Sequence, residues 1–155
     1  MRAVLSLGSN LGDRLASLRV AADLVGARLV SSVYESSPVD VDASQPDYLN
    51  CIAVVDVTDA DEALARAHRA EDTVGRLRTA HRSSRRLDVD VVSVDAIVSD
   101  DPRLTLPHPR AHERAFVLVP WYEVDPDAIV PGRGPVWRLL RGLDMSGVRR
   151  IGALR

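Results

Sequence analysis

The stretch Leu87-Asp88-Val89-Asp90-Val91-Val92 predicts a strand that carries two carboxylates on one face. Its β-branched residues and its alternation are typical of a strand, in which successive side chains point to opposite faces of the sheet. Asp88 and Asp90 therefore lie about 7 Å apart along one face, where they can bind one hard cation or two neighbouring ones. Because two such carboxylates repel each other, the stretch predicts a cation or several hydrogen-bond donors opposite them.

Arginines precede this strand, and no acidic residue lies among them. They are Arg76, Arg78, Arg82, Arg85 and Arg86. All 20 of the lysine and arginine residues in the chain are arginines, so phosphate binding here depends on guanidinium groups and backbone N–H groups. Carboxylates able to bind a metal beside an arginine array predict a site for a polyphosphate.

The composition is that of an ordinary globular domain. The 155 residues, 46% of them hydrophobic, predict a single domain over 1–155, and a net charge of −2 argues against bulk binding to nucleic acid or anionic membranes. The single cysteine, Cys51, excludes a disulfide framework and a zinc cluster and predicts an inert core thiol. No signal peptide or transmembrane run is found, which predicts a cytoplasmic protein with no membrane partner.

The order of the predicted elements indicates the fold class. The pattern predicts a strand over Arg2–Leu7, a turn over Gly8–Asp13, a helix from Leu11 to a C-cap at Gly26, a strand over Leu29–Ser36, a loop over Ser37–Asp47, a central strand over Leu49–Val57, a helix from a capping box at Asp59 and Glu62 to about Gly75, and the strand of the two aspartates. This is an α+β fold with the ferredoxin-like β-α-β-β-α-β order, an antiparallel sheet with two helices on one face. Extra C-terminal helices are predicted over Ala111–Val119 and over a segment that carries Val136 to Leu143.

The fold leaves several functions open. An RNA-recognition module uses the same order, but it stacks bases on aromatic residues of its central strands, and the predicted strands Val4–Leu7 and Leu49–Val57 contain none. A regulatory small-molecule module would need neither the aspartate pair nor the arginines. Another nucleotidyl or glycosyl transferase with an Asp-x-Asp motif remains an alternative.

Four segments in register resemble the 6-hydroxymethyl-7,8-dihydropterin pyrophosphokinase family of folate biosynthesis. They are Leu7–Arg14, Gln45–Asn50, Arg85–Val92, and Leu106–Arg110 with Arg114–Leu118. The resemblance covers residues 1 to about 130 and implies a ferredoxin-like fold, a monomer, and the substrates ATP and 6-hydroxymethyl-7,8-dihydropterin. The implied reaction transfers the β,γ-diphosphoryl group of ATP to the pterin hydroxymethyl oxygen and releases AMP. A pterin- or nucleotide-binding module without catalysis is the alternative.

The resemblance also implies a role for each site residue. Asp88 and Asp90 would hold two Mg²⁺ ions, and Asp90 would also orient or deprotonate the substrate hydroxyl. The ATP contacts would be Glu71, Arg78, Arg85, His108 and Arg114, and the catalytic residues Arg76, Arg82, Arg85 and Asp90. Tyr48 and Phe116 would stack on the pterin ring, Asn50 would read its amide edge, and the backbone of Ser36, Pro38 and Val39 would read the rest. The chain departs from the family pattern at Ser83-Ser84 and at Asp40.

Overall fold

The structure of the chain is a computed structural model. It describes the backbone of residues 1–11, 13–37, 47–80 and 86–155, and within these ranges all side chains except those of residues 11, 77–80 and 86. The predictions for Pro38, Val39, Asp40, Arg82, Ser83-Ser84 and Arg85, and for the side chain of Arg78, lie outside the described residues.

Strands and helices follow one another along the chain. The elements are β1 (Arg2–Leu11), α1 (Arg14–Leu24), β2 (Leu29–Val30), β3 (Val33–Ser36), β4 (Tyr48–Asp56), α2 (Ala60–Ala80), β5 (Arg86–Val94), a 3₁₀ helix (Ala111–Glu113), α3 (Ala115–Val124), β6 (Ile129–Val130), β7 (Gly134–Pro135), α4 (Val136–Arg141) and β8 (Val148–Gly152). The main sheet has the order β5-β1-β4-β3-β8, β2 also pairs with β4, and each pairing is antiparallel. The predicted mixture of helices with an antiparallel sheet is confirmed, and β4 lies inside the sheet as predicted.

Both faces of the sheet bury apolar side chains. On one face, side chains such as Leu5, Cys51 and Val89 pack with residues of α1 and α2. On the opposite face, Val4, Ile52, Val54 and Val92 pack with Leu118 and Trp121 of α3 and Leu140 of α4. The two helices predicted on one face are therefore α1 and α2, and the C-terminal helices cover part of the other face.

The single cysteine belongs to this core. Cys51 is fully buried, and burial raises the pKa of its thiol to about 12, although Arg155 acts in the opposite direction. A thiol that stays protonated in the core is unreactive.

The predicted turn at Gly8–Asp13 is wrong for its first half. β1 continues through Gly8, Ser9 and Asn10 to Leu11, because this segment lies between β4 and β5 and pairs with both. Two neighbouring strands outweigh the turn preference of these residues. As a result α1 begins at Arg14, after an N-cap in which Asp13 accepts a hydrogen bond from Ala16 N.

The strand predicted over Leu29–Ser36 is divided. Between β2 and β3, Ser31 pairs with Ile52 of β4 through its backbone N–H and its side-chain oxygen, which accepts from Ile52 N at 2.8 Å. A side-chain bond of this kind replaces a rung of the backbone ladder. Gly26 has φ +71°, as expected of the residue that follows a helix end.

The predicted end of the second helix at Gly75 is also wrong. α2 runs to Ala80, because the four turns before Gly75 are already anchored by the buried Ala67, Ala70 and Val74, and one glycine costs only about 1 kcal/mol in a helix. At its start, Asp59 accepts from Glu62 N as in a capping box, but Glu62 bonds to Thr58 N instead of Asp59 N. The Thr58 backbone N–H and the Thr58 hydroxyl both donate to Glu62 Oε2. These two bonds, the backbone one most of all, lower the pKa of Glu62 to about 2.

The C-terminal region differs from its prediction in three ways. The helix predicted over Ala111–Val119 is a 3₁₀ turn followed by α3, with Arg114 in an extended conformation between them. The last helix ends at Arg141, before Gly142. β8 was not predicted; its residues Val148–Gly152 are mostly exposed and pair with β3. Within the part of the chain that is described, no helix is long and apolar enough to cross a membrane.

Two isoleucines test the core on the α3 side. Ile52 is fully buried, whereas Ile129 is 60% exposed. We expect Ile52→Ala to lower the free energy of unfolding by about 2–5 kcal/mol, because it removes apolar contacts and leaves a cavity. The matched change Ile129→Ala should alter it by about 0.5 kcal/mol or less. Urea unfolding followed by circular dichroism measures both, and equal losses would contradict this description of the core.

Candidate active site

The sheet face that packs against α3 changes from apolar to polar along its strands. Val4 of β1, Ile52 and Val54 of β4 and Val92 of β5 lie under α3. Farther along the strands, the period-two alternation of side chains places polar or small residues on the same face. They are Ser6 and Gly8 of β1, Asn50 of β4, and Asp88 and Asp90 of β5.

Strand pairing sets these residues side by side. Gly8 pairs with Asn50 on one side and with Asp88 on the other, and Ser6 pairs with Asp90. The residue between Asn50 and Asp88 thus has no side chain, which leaves an open cleft above β1. A Cβ atom at Gly8 would lie 3.3 Å from Asn50 Oδ1 and 3.4 Å from Tyr48 Cδ1, so a larger residue here would crowd both side chains.

A cleft of about 160 Å³ lies over this polar part of the sheet. It is lined by Ser6, Gly8, Ser36, Ser37, Tyr48, Asn50, Asp88, Asp90, Arg114 and Phe116. The structure therefore brings together seven of the residues that sequence reasoning assigned to the site: Ser36, Tyr48, Asn50, Asp88, Asp90, Arg114 and Phe116. We refer to this space as the first cleft.

Hydrogen bonds fix Asn50 in the wall of the first cleft. Asn50 is 3% exposed, and its Nδ2 donates to Ser36 Oγ at 2.7 Å and makes a longer contact of 3.4 Å to Tyr34 O. Because a buried amide is costly without partners, these bonds hold the side chain in one orientation. The Tyr48 hydroxyl lies 3.4 Å from Asp88 Oδ2, a contact longer than a normal hydrogen bond between oxygens.

The start of α3 contributes the remaining wall. Arg114 is the N-cap residue of α3 and Phe116 lies in its first turn, so one short segment places both side chains at the first cleft. The guanidinium carbon of Arg114 lies 5.6 Å from the centre of the Phe116 ring, within the range of a cation–π interaction.

A second cleft, of about 300 Å³, lies beside β5, the strand at the end of the sheet. It is lined by Leu64, His68, Glu71, Val89, Asp90, Val91, Pro102, Arg103, Leu104, Thr105, His108 and Pro109. Asp90 lines both clefts, so the two spaces adjoin at this residue, and Asp88 lines the first cleft alone.

Glu71 of α2 and His108 both have perturbed pKa values in this second cleft. Burial raises the pKa of Glu71, the charges of Asp88 and Asp90 raise it further, and a bond from Val89 N at 3.1 Å acts against them. Burial lowers the pKa of His108, as do Arg114 and Arg110, while Asp90 acts in the opposite direction. His108 Nδ1 accepts from Arg110 N at 3.2 Å, so the neutral ring carries its proton on Nε2.

The remaining predicted residues are not in these walls. Arg76 is exposed on α2, lines neither cleft, and donates from Nη2 to Thr73 Oγ1 at 3.3 Å. For Pro38, Val39, Arg82, Arg85 and the side chain of Arg78 there is no description. Within the described residues, no group of three or more His, Cys, Asp and Glu side chains could hold a metal ion.

Sequence reasoning missed several residues of both walls. They are Ser6 and Gly8 in the first cleft, and Leu64, Arg103, Leu104 and Thr105 among those in the second. The alternation Val4-x-Ser6-x-Gly8 was a signal for the first two, once the strand is extended beyond Leu7. The missed residues of the second cleft lie in α2 and in the segment after β5. The spacing of residues along the sequence does not show that these two segments lie close together in the fold.

Known proteins with similar sequences share one description. A family model for 7,8-dihydro-6-hydroxymethylpterin-pyrophosphokinase (HPPK) matches residues 4–126. The 2-amino-4-hydroxy-6-hydroxymethyldihydropteridine pyrophosphokinase of Mycobacterium tuberculosis is 43% identical over 159 residues, which cover 92% of this chain and 84% of that protein. The enzyme of the same name from Methylorubrum extorquens is 36% identical, with 97% of this chain and 98% of that protein covered.

A solved structure supports the same fold. The crystal structure of a Plasmodium falciparum HPPK-DHPS triple mutant with SDX-DHP matches with a TM-score of 0.65 at 15% identity. The match covers 90% of this chain and 44% of that one, and at this identity it speaks for the fold alone. The resemblance read from the four sequence segments is confirmed by the family model and the relatives, and the chain belongs to the 7,8-dihydro-6-hydroxymethylpterin-pyrophosphokinase family.

Proposed function

We propose that this chain transfers the β,γ-diphosphoryl group of ATP to the hydroxymethyl oxygen of 6-hydroxymethyl-7,8-dihydropterin in folate biosynthesis. The pterin oxygen forms a bond to the β-phosphorus, the bond between the α,β-bridging oxygen and the β-phosphorus breaks, and AMP leaves. The observation that carries the proposal, beside family membership, is that Asp90 lines both clefts. Two substrates in the two clefts would meet at the aspartate pair.

The first cleft suits the pterin. A pterin is a flat heteroaromatic ring with donors and acceptors along its edge, and this cleft offers Tyr48 and Phe116 as aromatic surfaces and Asn50 as a fixed amide. Stacking on an aromatic side chain adds about 0.5–1.5 kcal/mol beyond burial. We assign Tyr48 and Phe116 to stacking, Asn50 to the amide edge, and the backbone of Ser36, Pro38 and Val39 to the remaining edge.

The second cleft suits the nucleotide. Leu64, Val91 and Leu104 offer apolar surface for a base, while His108 offers an Nε2–H donor to phosphate oxygens. Glu71 lines the same cleft, and Arg114 lies in the first cleft close enough to lower the pKa of His108. We assign Glu71, His108 and Arg114 to ATP, together with Arg78 and Arg85.

The aspartate pair fits Mg²⁺. Mg²⁺ uses one or two carboxylates and completes its coordination with substrate phosphates and water, and two half-buried carboxylates in one cleft provide that donor set. Asp88 and Asp90 would hold two ions, and bound Mg²⁺ would neutralise charge on the transferred group and align it. We assign to Asp90 a second role, which is to orient the pterin hydroxyl and accept its proton at a carboxylate oxygen. Arg76, Arg82 and Arg85 would stabilise the charge on the phosphates.

The architecture is part of the proposal. The order β5-β1-β4-β3, with α1 and α2 on one face, supports a ferredoxin-like arrangement to which β8 adds an edge strand. One continuous sheet with a core on each face supports a single pyrophosphokinase domain over 1–155. A monomer in the cytoplasm remains a prediction from the sequence.

The reaction is tested by its product. Purified protein with ATP and Mg²⁺ should form AMP only when the pterin is present, and Asp88→Asn should lower kcat/KM by about 100-fold or more, since it removes charge at the reacting phosphates. Asp56→Asn is the control, because Asp56 is an exposed carboxylate on the same sheet, paired with Arg28. ADP in place of AMP would mean a different transfer. Binding of both ligands without AMP would favour the binding module.

Gly8 tests the shape of the first cleft. Gly8→Ala adds a Cβ at 3.3 Å from Asn50 Oδ1, and overpacking of this kind costs about 1–3 kcal/mol. We expect pterin affinity to fall about tenfold, with ATP affinity unchanged. Gly147→Ala is the matched control, since its Cβ meets no atom within 4 Å. Isothermal titration calorimetry measures both ligands, and unchanged pterin binding in Gly8→Ala would place the pterin elsewhere.

His108 tests the nucleotide assignment by its titration. The free protein should give a His108 pKa below the ordinary histidine value, and Asp90→Asn should lower it further, because Asp90 favours the imidazolium. ATP brings negative charge and should raise this pKa, so ATP binding takes up a proton and strengthens as pH falls through the raised value toward the pKa of the free protein. NMR of the imidazole nitrogens follows the titration. A His108 pKa that ATP leaves unchanged would contradict the assignment.

A further inference from the structure

Arg14 belongs to the Leu7–Arg14 segment, yet it lies in neither cleft. It is the first residue of α1, and its Nη1 makes two contacts. One is to Glu35 Oε2 of β3 at 3.2 Å, and the other is to the carbonyl oxygen of Asp47, just before β4, at 2.7 Å. A single nitrogen therefore connects the end of β3 with the start of β4.

The residues that Arg14 contacts are next in sequence to two residues of the first cleft. Glu35 precedes Ser36, and Asp47 precedes Tyr48. Ser36 and Tyr48 pair with each other as the last rung of the described β3–β4 ladder, and both line the cleft. Because side chains alternate along a strand, Glu35 points to the face opposite Ser36. Arg14 thus stands behind the cleft wall.

A last rung needs support that an inner rung does not. The end of a ladder opens more easily than its middle, because it has a neighbour on one side only. Bonds from a guanidinium to a carboxylate and a carbonyl are charge-assisted and strong. Arg14 and Glu35 are also largely shielded, with side chains 31% and 18% exposed, so water screens their interaction less than at an open surface.

Glu35 has a second arginine partner that allows the two contacts of Arg14 to be separated. Arg149 of β8 donates to Oε1, the other carboxylate oxygen of Glu35. Loss of Arg149 removes an ion pair at Glu35 and leaves the link between Glu35 and Asp47 in place. Loss of Arg14 removes that link.

We propose that Arg14 is a positioning residue for the pterin. By joining Glu35 to the Asp47 carbonyl, it fixes the Ser36–Tyr48 rung, and with it the Ser36 hydroxyl that accepts from Asn50 Nδ2 and the Tyr48 ring. The inference rests on the proposed function, which supplies the pterin as the ligand of the first cleft. Its consequence is selective: pterin binding depends on Arg14, and ATP binding does not.

The experiment compares Arg14→Ala with two matched arginine variants. Arg66→Ala is the first control, because Arg66 also joins a carboxylate to a carbonyl, with Nη2 2.5 Å from Glu62 Oε1 and Nη1 3.0 Å from Val25 O, and it lines neither cleft. Arg149→Ala is the second. Calorimetry measures the Kd of 6-hydroxymethyl-7,8-dihydropterin, and AMP formation gives kcat and the KM of each substrate. Circular dichroism checks that each variant is folded.

We expect Arg14→Ala to weaken pterin binding about tenfold, equal to about 1.4 kcal/mol, with the KM of ATP within about twofold of wild type, as expected when ATP contacts are intact. Arg66→Ala and Arg149→Ala should bind the pterin like wild type. Arg14→Lys should bind it more tightly than Arg14→Ala, because one Arg14 nitrogen makes both contacts and the ammonium replaces that nitrogen. This pattern would support the positioning role.

Three results would overturn the inference. If Arg14→Ala binds the pterin like wild type, the positioning role is excluded. If Arg66→Ala weakens pterin binding as much as Arg14→Ala does, the effect reflects a general loss of stability and not a role of Arg14. Wild type that binds no pterin rejects the proposed function first, and the inference with it. Should Arg14→Ala fail to fold, Arg14→Met, which keeps the apolar stem and removes the donor, is compared with Arg66→Met. Weaker pterin binding in Arg14→Met alone then supports the role, and binding like wild type rejects it.

Discussion

The alternation of side chains along β1, β4 and β5 is the constraint on which both the core and the clefts depend. Each strand must present one face to α1 and α2, and that face is apolar from Ala3 to Leu7 in β1, from Leu49 to Val55 in β4 and from Leu87 to Val91 in β5. The other face is free of this demand beyond the first turn of α3, where the helix no longer covers the sheet. There the same period brings Ser6, Asn50 and Asp90 to the surface of the sheet, on three strands that pair through β1. The polar residues thus sit on regular paired strands, which is what a site needs if its groups are to hold their geometry.

Like charges lie close together where the two clefts adjoin. Burial raises the pKa of Glu71, and the charges of Asp88 and Asp90 raise it further. On the other side, Arg110 and Arg114 lower the pKa of His108. The site therefore contains two sets of like charges at short range. One set is negative, at Glu71, Asp88 and Asp90, and the other is positive, at Arg110, Arg114 and a protonated His108. In the proposed function, bound cations would relieve the first set and bound phosphates the second, so the free energy of ligand binding would include the relief of both.

The residue types and the period-two alternation of side chains in strands were enough to predict the aspartate pair, its shared face and the central position of β4. The four segments were enough to identify the family and with it seven residues of the first cleft. What the sequence did not contain was the pairing. Gly8, Ser9 and Asn10 are typical turn residues, and only the presence of β4 and β5 on either side makes them a strand that places Gly8 between Asn50 and Asp88. β8 was missed for a related reason, since its exposed residues show little pattern and its stability comes from pairing with β3.

The walls of the first cleft are held by contacts outside it. Glu123 near the end of α3 accepts from the Tyr34 hydroxyl at 2.6 Å and from Ser32 N at 2.7 Å, which anchors the helix to β3. Burial and the Glu123 bond raise the pKa of Tyr34 to about 12, and the bonds from Tyr34 and Ser32 lower the pKa of Glu123 despite its partial burial. The pair therefore keeps one charge and one hydroxyl over the whole physiological range. Since α3 carries Phe116 at its other end, this anchor sets the distance between Phe116 and the sheet. Arg14 acts on β3 and β4 from the opposite face, so two contacts remote from the substrate define the space between the aromatic walls.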